Sequence, residues 1–284
     1  MNTKLRVFLL TFTLAAPLSA DVLFSENFQS YPSGSVLGSP WSLSVPDNGS
    51  TLTYRIATDT SDLFGQGTSN KYLSLHDGVS GAPNIQFYRT VSTPSTIGQI
   101  SFSFYDPLTS TTGGANNTGL LVRLGTSTTG AAGNSTSPFG IFVSNGGIYT
   151  NSPGSSSIDT NNLLATYDTS PTRTAQELSI VFNNGTTDIT YGDGDIYSLA
   201  AGRMDIWLNG IVVASGLTKF NNNTSTDGIG NVTFNGQSSG EFNMYLDDIS
   251  YLSNITIPEP SNFAFIIGGV LCLVFTAQRL RRRA

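Results

Sequence analysis

The stretch RMDIWLNGIVVASG, Arg203 to Gly216, decides the fold class. Met204, Ile206 and Leu208 alternate with Asp205 and Trp207. Apolar side chains at every second residue are the signature of a strand with one buried face. Asn209-Gly210 follows at once, and Ile211 to Ala214 then run back. Both turn residues tolerate positive φ, which a two-residue hairpin turn requires. The stretch reads as a β-hairpin with Trp207 on the face opposite Met204, Ile206 and Leu208.

The same period recurs on both sides of it. QISFSFYD sets Ile100, Phe102 and Phe104 against Ser101 and Ser103, and ELSIVF puts Leu178, Ile180 and Phe182 on one face. EFNMYLDDISYL does so with Phe242, Met244 and Leu246. About thirteen short strands of this kind fit between Leu23 and Leu252, and no stretch sustains a helical stripe. Segments such as TTGGANNTG, NSPGSSS and NNNTSTDGIG, rich in Gly, Asn and Ser, are turns and loops. An even series of short strands predicts an all-β, antiparallel sandwich. With no repeat and no Pro-rich linker, it reads as one domain.

Both ends have a different character. Residues 1–20 carry Lys4 and Arg6, an apolar run from Val7 to Ala16, and PLSA before Asp21. This is the pattern of a secretory signal peptide, a short apolar helix cut between Ala20 and Asp21. At the other end stand Pro258-Glu259-Pro260, an apolar span from about Phe263 to Ala277, and a basic tail with Arg279, Arg281, Arg282 and Arg283. The span is somewhat short for the roughly 20 residues of a bilayer crossing, which suits a transient transmembrane helix. Its arginines would stay cytoplasmic, and the prolines hold the chain extended before it.

Between them, residues 21–257 hold 7 basic and 18 acidic residues, a formal charge near −11. Such a surface repels phosphate backbones, which argues against nucleic-acid binding. The one cysteine, Cys272, lies in the apolar tail, so the middle has neither a disulfide nor a thiolate site. A domain of this size can instead rely on its core.

LFSENFQSYPSGSVLGSPWSL (Leu23–Leu43), the hairpin MDIWLNGIVVASG (Met204–Gly216) and MYLDDISYL (Met244–Leu252) resemble the opening, late hairpin and last strand of concanavalin A-like, laminin-G-like jelly rolls of bacterial envelope proteins. That resemblance implies a jelly-roll β-sandwich over 21–257. The tail 258–284 resembles the PEP-CTERM sorting signal of Gram-negative bacteria. It implies export, a precursor anchored in the inner membrane, processing by an exosortase after passage through the export machinery, and a final place in the cell envelope or outside the cell.

Few residues suggest chemistry. His76, the only histidine, is followed by Asp77, but there is no Gly-x-Ser-x-Gly elbow. The paired acids of a concanavalin A-like glycosidase strand are missing as a local motif, so no catalytic residue is assigned. Asp193 and Asp195 in YGDGDIY are candidate cation ligands, although solvated turn aspartates explain them more simply. If the first and last strands pair, as in jelly rolls of this type, Glu26 and Asp247 or Asp248 become neighbours, and a structural Ca2+ would relieve their repulsion. Carbohydrate binding, the expected use of the resemblance, would employ Tyr54, Tyr88, Tyr105 and Trp207 as stacking platforms, with Trp41 left to the core. The reading is a non-catalytic exported envelope or matrix protein for adhesion or polysaccharide binding. The alternative is a secreted glycan-active hydrolase on the same fold.

Overall fold

The computed structural model describes residues 21–78, 84–108, 118–151, 158–237 and 241–256. In chain order the strands are β1 (Val22–Glu26), β2 (Ser42–Leu43), β3 (Leu52–Thr58), β4 (Lys71–Asp77), β5 (Gln86–Ser95) and β6 (Ile97–Tyr105). There follow β7 (Gly119–Gly125), β8 (Phe139–Ser144), β9 (Gly147–Asn151), β10 (Ile158–Thr166), β11 (Gln176–Asn183) and β12 (Ile189–Tyr191). The last are β13 (Tyr197–Leu199), β14 (Arg203–Leu208), β15 (Ile211–Thr218), β16 (Ile229–Gln237) and β17 (Phe242–Leu252). Helix among the described residues is limited to two single 3₁₀ turns, Asp193–Asp195 and Phe220–Asn222.

Two antiparallel sheets face each other. The front sheet has the order β15-β14-β11-β6-β17-β4-β3, with β1 also on β17. The back sheet runs β10-β9-β8-β7-β16-β5-β2, and β12 and β13 form a separate ribbon. The expected all-β antiparallel sandwich is what the chain adopts. The strands outnumber the sequence estimate because β2, β12 and β13 have only two or three residues, too few to display alternation. The predicted signal and transmembrane helices lie outside the described residues.

The alternating residues fill the space between the sheets. Ile100, Phe102 and Phe104 of β6, Leu178, Ile180 and Phe182 of β11, and Met204, Ile206 and Leu208 of β14 join one buried cluster with Phe87, Val122 and Phe234 of the back sheet. Phe87 and Phe234 stack at 4.9 Å, and Trp41 meets Phe24, Phe87 and Phe234 edge-on. Each buried Phe or Leu contributes roughly 1.5–3 kcal/mol, which explains how this part of the chain dispenses with disulfides. The β14–β15 turn has φ of 51° at Asn209 and 74° at Gly210, the left-handed pair that Asn-Gly accommodates.

β17 organises the front sheet. Along one side, its first half pairs with β4 and its second half with β1; along the other, it pairs with β6. A bulge at Asp247-Asp248, where Asp248 has φ 49°, divides the halves. The first and last strands therefore pair, Ser25 with Ser250 and Glu26 with Ile249.

Candidate functional site on the outer face of the front sheet

Residues that alternate with the core point outward and form a lattice across four strands. One row holds Ser250 of β17, Ser101 of β6, Ser179 of β11 and Trp207 of β14. The next holds Asp247, Ser103 and Glu177, and the next pairs Tyr245 with Tyr105. The serine row is joined by hydrogen bonds. Ser101 and Ser179 hydroxyls lie 2.7 Å apart, and Gln99 Nε2 donates to Ser101 Oγ at 2.8 Å.

At one end of this lattice the aromatic rings form a column across β4, β17 and β6. Phe64 lies 5.4 Å from Tyr72, Tyr72 4.9 Å from Tyr245, and Tyr245 5.8 Å from Tyr105 with planes only 12° apart. The Arg173 guanidinium caps the column 5.1 Å above Tyr105. Every tyrosine in it has a neighbour on each ring face. What the half-buried rings leave to solvent is therefore their edges and hydroxyl ends. Burial pushes the Tyr72 phenol up to about 12 and also raises that of Tyr245, so these two stay protonated donors at neutral pH.

The loop between β3 and β4 sets Phe64 in place. The Asp59 carboxylate accepts the backbone N–H groups of Leu63 and Phe64, both at 2.9 Å, and the Leu63 carbonyl accepts the Ala175 N–H at 2.8 Å. The loop thus reaches across the sheet to the start of β11. On the way Gln66 Nε2 donates to the Asp248 carboxylate, and Asn70 Nδ2 donates to Asp247 at 2.7 Å. Asp247 is completely buried, and its carboxyl is pushed up to about 7, chiefly by that burial and against the lowering effect of the Asn70 bond. Glu177 is raised by partial burial and then by the charge of Asp248.

At the other end the β12–β13 ribbon covers the sheet. Trp207 is 3% exposed and packs with Val181, Tyr191 and Leu199 in a second apolar cluster, against which Ile255 also lies. Tyr191 Oη donates to Asp205 Oδ2 at 2.5 Å and accepts from Trp207 Nε1 at 3.3 Å.

The four aromatic residues expected to bind sugar do not come together. Tyr54 sits in the core with no exposed surface, its hydroxyl accepting the Gln86 N–H at 2.7 Å. It lies on the same face as Leu52 and Ile56, so the strand period itself turns it inward. Trp207 does point away from Met204, Ile206 and Leu208, as expected, but the ribbon closes over it. Tyr88 is half-buried on the back sheet, paired with Ser42 and Thr233. Tyr105 alone belongs to the column. Trp41 is in the core, as expected.

The expected cation site is also rearranged. Glu26 follows Phe24 on the inner face. Its carboxylate accepts Phe28 N–H at 3.0 Å, Trp41 Nε1–H at 3.3 Å and Tyr31 Oη–H at 3.4 Å, with Arg89 at 3.8 Å. Asp247 follows Tyr245 on the outer face, so the two carboxyls occupy opposite sides of the sheet. Asp248 belongs with Gln66 and Glu177. Asp195 is exposed at a turn with φ 56°; the Asp193 side chain lies outside the description. Among the described residues no group of three or more His, Cys, Asp or Glu is placed to hold a metal. His76 Nδ1 meets Asn243 Oδ1 at 2.9 Å and Glu241 at 3.8 Å. Asp21, at the expected signal cut, accepts Ser253 N–H at 3.0 Å. Ala20, Pro258, Glu259, Pro260, Arg279, Arg281, Arg282 and Arg283 lie outside the described residues.

Sequence reasoning passed over Phe64, Tyr72, Tyr245, Gln66 and Glu177. The local signal for Tyr72 and Tyr245 was present, an outward tyrosine on an alternating strand. What joins them is the β4–β17–β6 register, which spans more than 170 positions from Tyr72 to Tyr245.

No protein-family model matches the chain, and no curated protein matches it. Among solved structures it is similar to a carbohydrate esterase of the Shiga toxin-encoding bacteriophage phi24B, with TM-score 0.51, 14% identity, and coverage of 84% of this chain and 100% of the other. It is more remotely similar to the binding domain of Paraclostridial Mosquitocidal Protein 1 (TM-score 0.45, 11% identity, 83% and 49% coverage). A third is the endo-β-1,4-glucuronan lyase of the fungus Trichoderma reesei (TM-score 0.39, 11% identity, 83% and 96% coverage). At these identities the first likeness is one of fold.

Proposed function

We propose that the domain is a jelly-roll sandwich of the concanavalin A-like class that binds polysaccharide on the outer face of its front sheet. It is an exported envelope or matrix protein, its tail 258–284 serving as a sorting signal for an exosortase. The observation that carries the binding reading is the juxtaposition of the tyrosine column with the Ser103, Glu177, Asp248 and Gln66 lattice. A sugar polymer presents many hydroxyls and weakly apolar C–H faces. Carboxylates and amides accept and donate to the hydroxyls, while ring edges and phenols supply the rest. The acidic surface favours neutral glycans over anionic ones. The fold likeness to a carbohydrate esterase is compatible with such a role and adds nothing about residues.

The test is affinity electrophoresis of the full chain, in a non-glycosidic detergent, through gels containing neutral or anionic polysaccharides. Retardation by a neutral polymer, lost in Glu177→Gln and Tyr105→Phe, is expected. Equal mobility in every gel ends this reading.

One feature favours a second reading, a glycan hydrolase. Glu177 and Asp247 pair with Ser103 from either side, so two strand spacings set the backbones of Glu177 and of the bulge that carries Asp248 about 10 Å apart, near the separation of the two carboxyls in inverting glycosidases. Glu177, its carboxyl raised by burial and then by the Asp248 charge, would be the acid, and Asp248 the base that activates water. Release of reducing ends from a bound glycan, abolished in both Glu177→Gln and Asp248→Asn, would establish it.

A further inference from the structure

The two sheets each end in an edge strand on the same side of the sandwich. β10 closes the back sheet and β15 the front sheet, and the two touch. Between them lies an open cleft of about 370 Å³, lined by Thr150, Asn161, Asn162, Leu163, Leu164, Gly216, Leu217 and Thr218. That volume falls within the range of small-ligand clefts, roughly 300–1,000 Å³.

The lining has two chemistries. Leu163 is 48% exposed and Leu164 and Leu217 are half-buried against the core, which gives the cleft an apolar strip. Asn161 and Asn162 stand beside it, each tied to Asp159. Asn161 Nδ2 donates to Asp159 Oδ1 at 3.0 Å and Asn162 Nδ2 to Asp159 Oδ2 at 3.1 Å. With Nδ2 of each amide engaged by Asp159, its carbonyl oxygen is the atom that can accept from a ligand hydroxyl. Among the described residues, no charged side chain lines the cleft.

Open strand edges invite a pairing peptide, but these edges are irregular. β10 shifts register twice against β9, and β15 twice against β14. Gly216 has φ 67°, and its N–H is already given to Asp205 Oδ1 at 2.7 Å. Bulged edges with a diverted donor do not offer the regular ladder a peptide strand needs.

We propose that this cleft is a second carbohydrate site, taking a short stretch of a neutral, hydroxyl-rich glycan. The leucine strip takes the C–H face of a sugar, and the amide oxygens and Thr218 take its hydroxyls. This goes beyond the sheet-face reading and stands independently of it. If both sites act, one domain holds two glycan segments, and binding to a polymer gains from effective concentration.

The test uses photoactivatable maltohexaose and cellohexaose on the full chain in a non-glycosidic detergent, with peptide mapping of the adducts. Adducts are expected on 158–166 and 211–218, reduced at least tenfold in Leu163→Glu and in Thr218→Glu. Both side chains are exposed, and an unchanged circular dichroism spectrum confirms that each variant folds. Adducts confined to 59–72, 101–105 and 242–248 would overturn the cleft site while sustaining the sheet-face site. Adducts in the cleft alone would do the reverse. Absence of adducts, labelling indifferent to both substitutions, or displacement of the sugar by an extended Thr-Val repeat peptide would each overturn the proposal.

Discussion

Glu177 on β11 pairs with Ser103, whose other partner, Asp247, immediately precedes Asp248 on β17, and burial followed by the Asp248 charge holds the Glu177 carboxyl above its ordinary range. The two acids come near each other because the start of β11 and the bulge of β17 lie on either side of β6. Removal of one charge should be felt by the other. In Asp248→Asn the Glu177 titration midpoint is expected to fall toward the usual carboxylate value, read by NMR on the side-chain carbon. An unmoved midpoint would show that the two do not interact.

Asp247 makes stability depend on pH. Its folded-state value of about 7 lies above the ordinary 3.8, so the unfolded chain ionises it first. The contribution of Asp247 to stability is therefore greatest below about pH 4, falls as pH rises to about 7, and is level above. Asp248 and Asp59 face the same carboxyl and act in the same direction. Asp247→Asn is expected to raise the melting temperature at pH 8 and to flatten this part of the pH profile. A calcium ion at Asp247 would favour the ionised form and reverse the trend. With Glu26 turned inward, calcium and EDTA are expected to leave the melting temperature unchanged; a rise with calcium would restore a cation at this bulge.

Tyr245 is the centre of the ring column. Tyr245→Ala separates Tyr72 from Tyr105 and is expected to cost about 2 kcal/mol in denaturant unfolding, from lost burial and ring contacts. The β3–β4 loop should loosen with it, since Phe64 rests on Tyr72. Hydrogen exchange at Leu63 and Phe64 should quicken, whereas a loop indifferent to the change would mean that Asp59 alone holds it.

Trp207 serves the ribbon. Trp207→Ala is expected to cost about 3 kcal/mol and to release β12–β13, exposing Val181 and Ile255. The glycan mobility shift should survive, because the ribbon keeps Trp207 buried. Loss of binding in a folded Trp207→Ala protein would bring this end of the sheet back into the site.

Processing is open to direct measurement. Mass spectrometry of the mature protein from its native envelope is expected to find Asp21 as the first residue and no peptide beyond Pro260. An intact Arg279–Arg283 tail on the released form would contradict the sorting proposal.

The class of fold was legible in the chain because alternation is local. Which of two neighbouring residues faces the core depends only on the pleat, and QISFSFYD, ELSIVF and RMDIWL each state it within eight residues. Asn209-Gly210 likewise fixed its own turn, since its backbone freedom belongs to the residues themselves. Burial of the outer face was a different matter. Trp207 and Tyr245 read alike in sequence, an aromatic among polar neighbours on the outward side of a strand. One is sealed by a ribbon formed by residues 189–199, and the other stands half-open between rings from β4 and β6. Tyr54 and Glu26, by contrast, were misplaced although the period was there to read, since Tyr54 alternates in step with Leu52 and Ile56 and Glu26 with Phe24. Pleat and turn follow from a few adjacent dihedral angles, whereas a shared site requires strands distant in sequence to be set in register, and only the packed sandwich sets it.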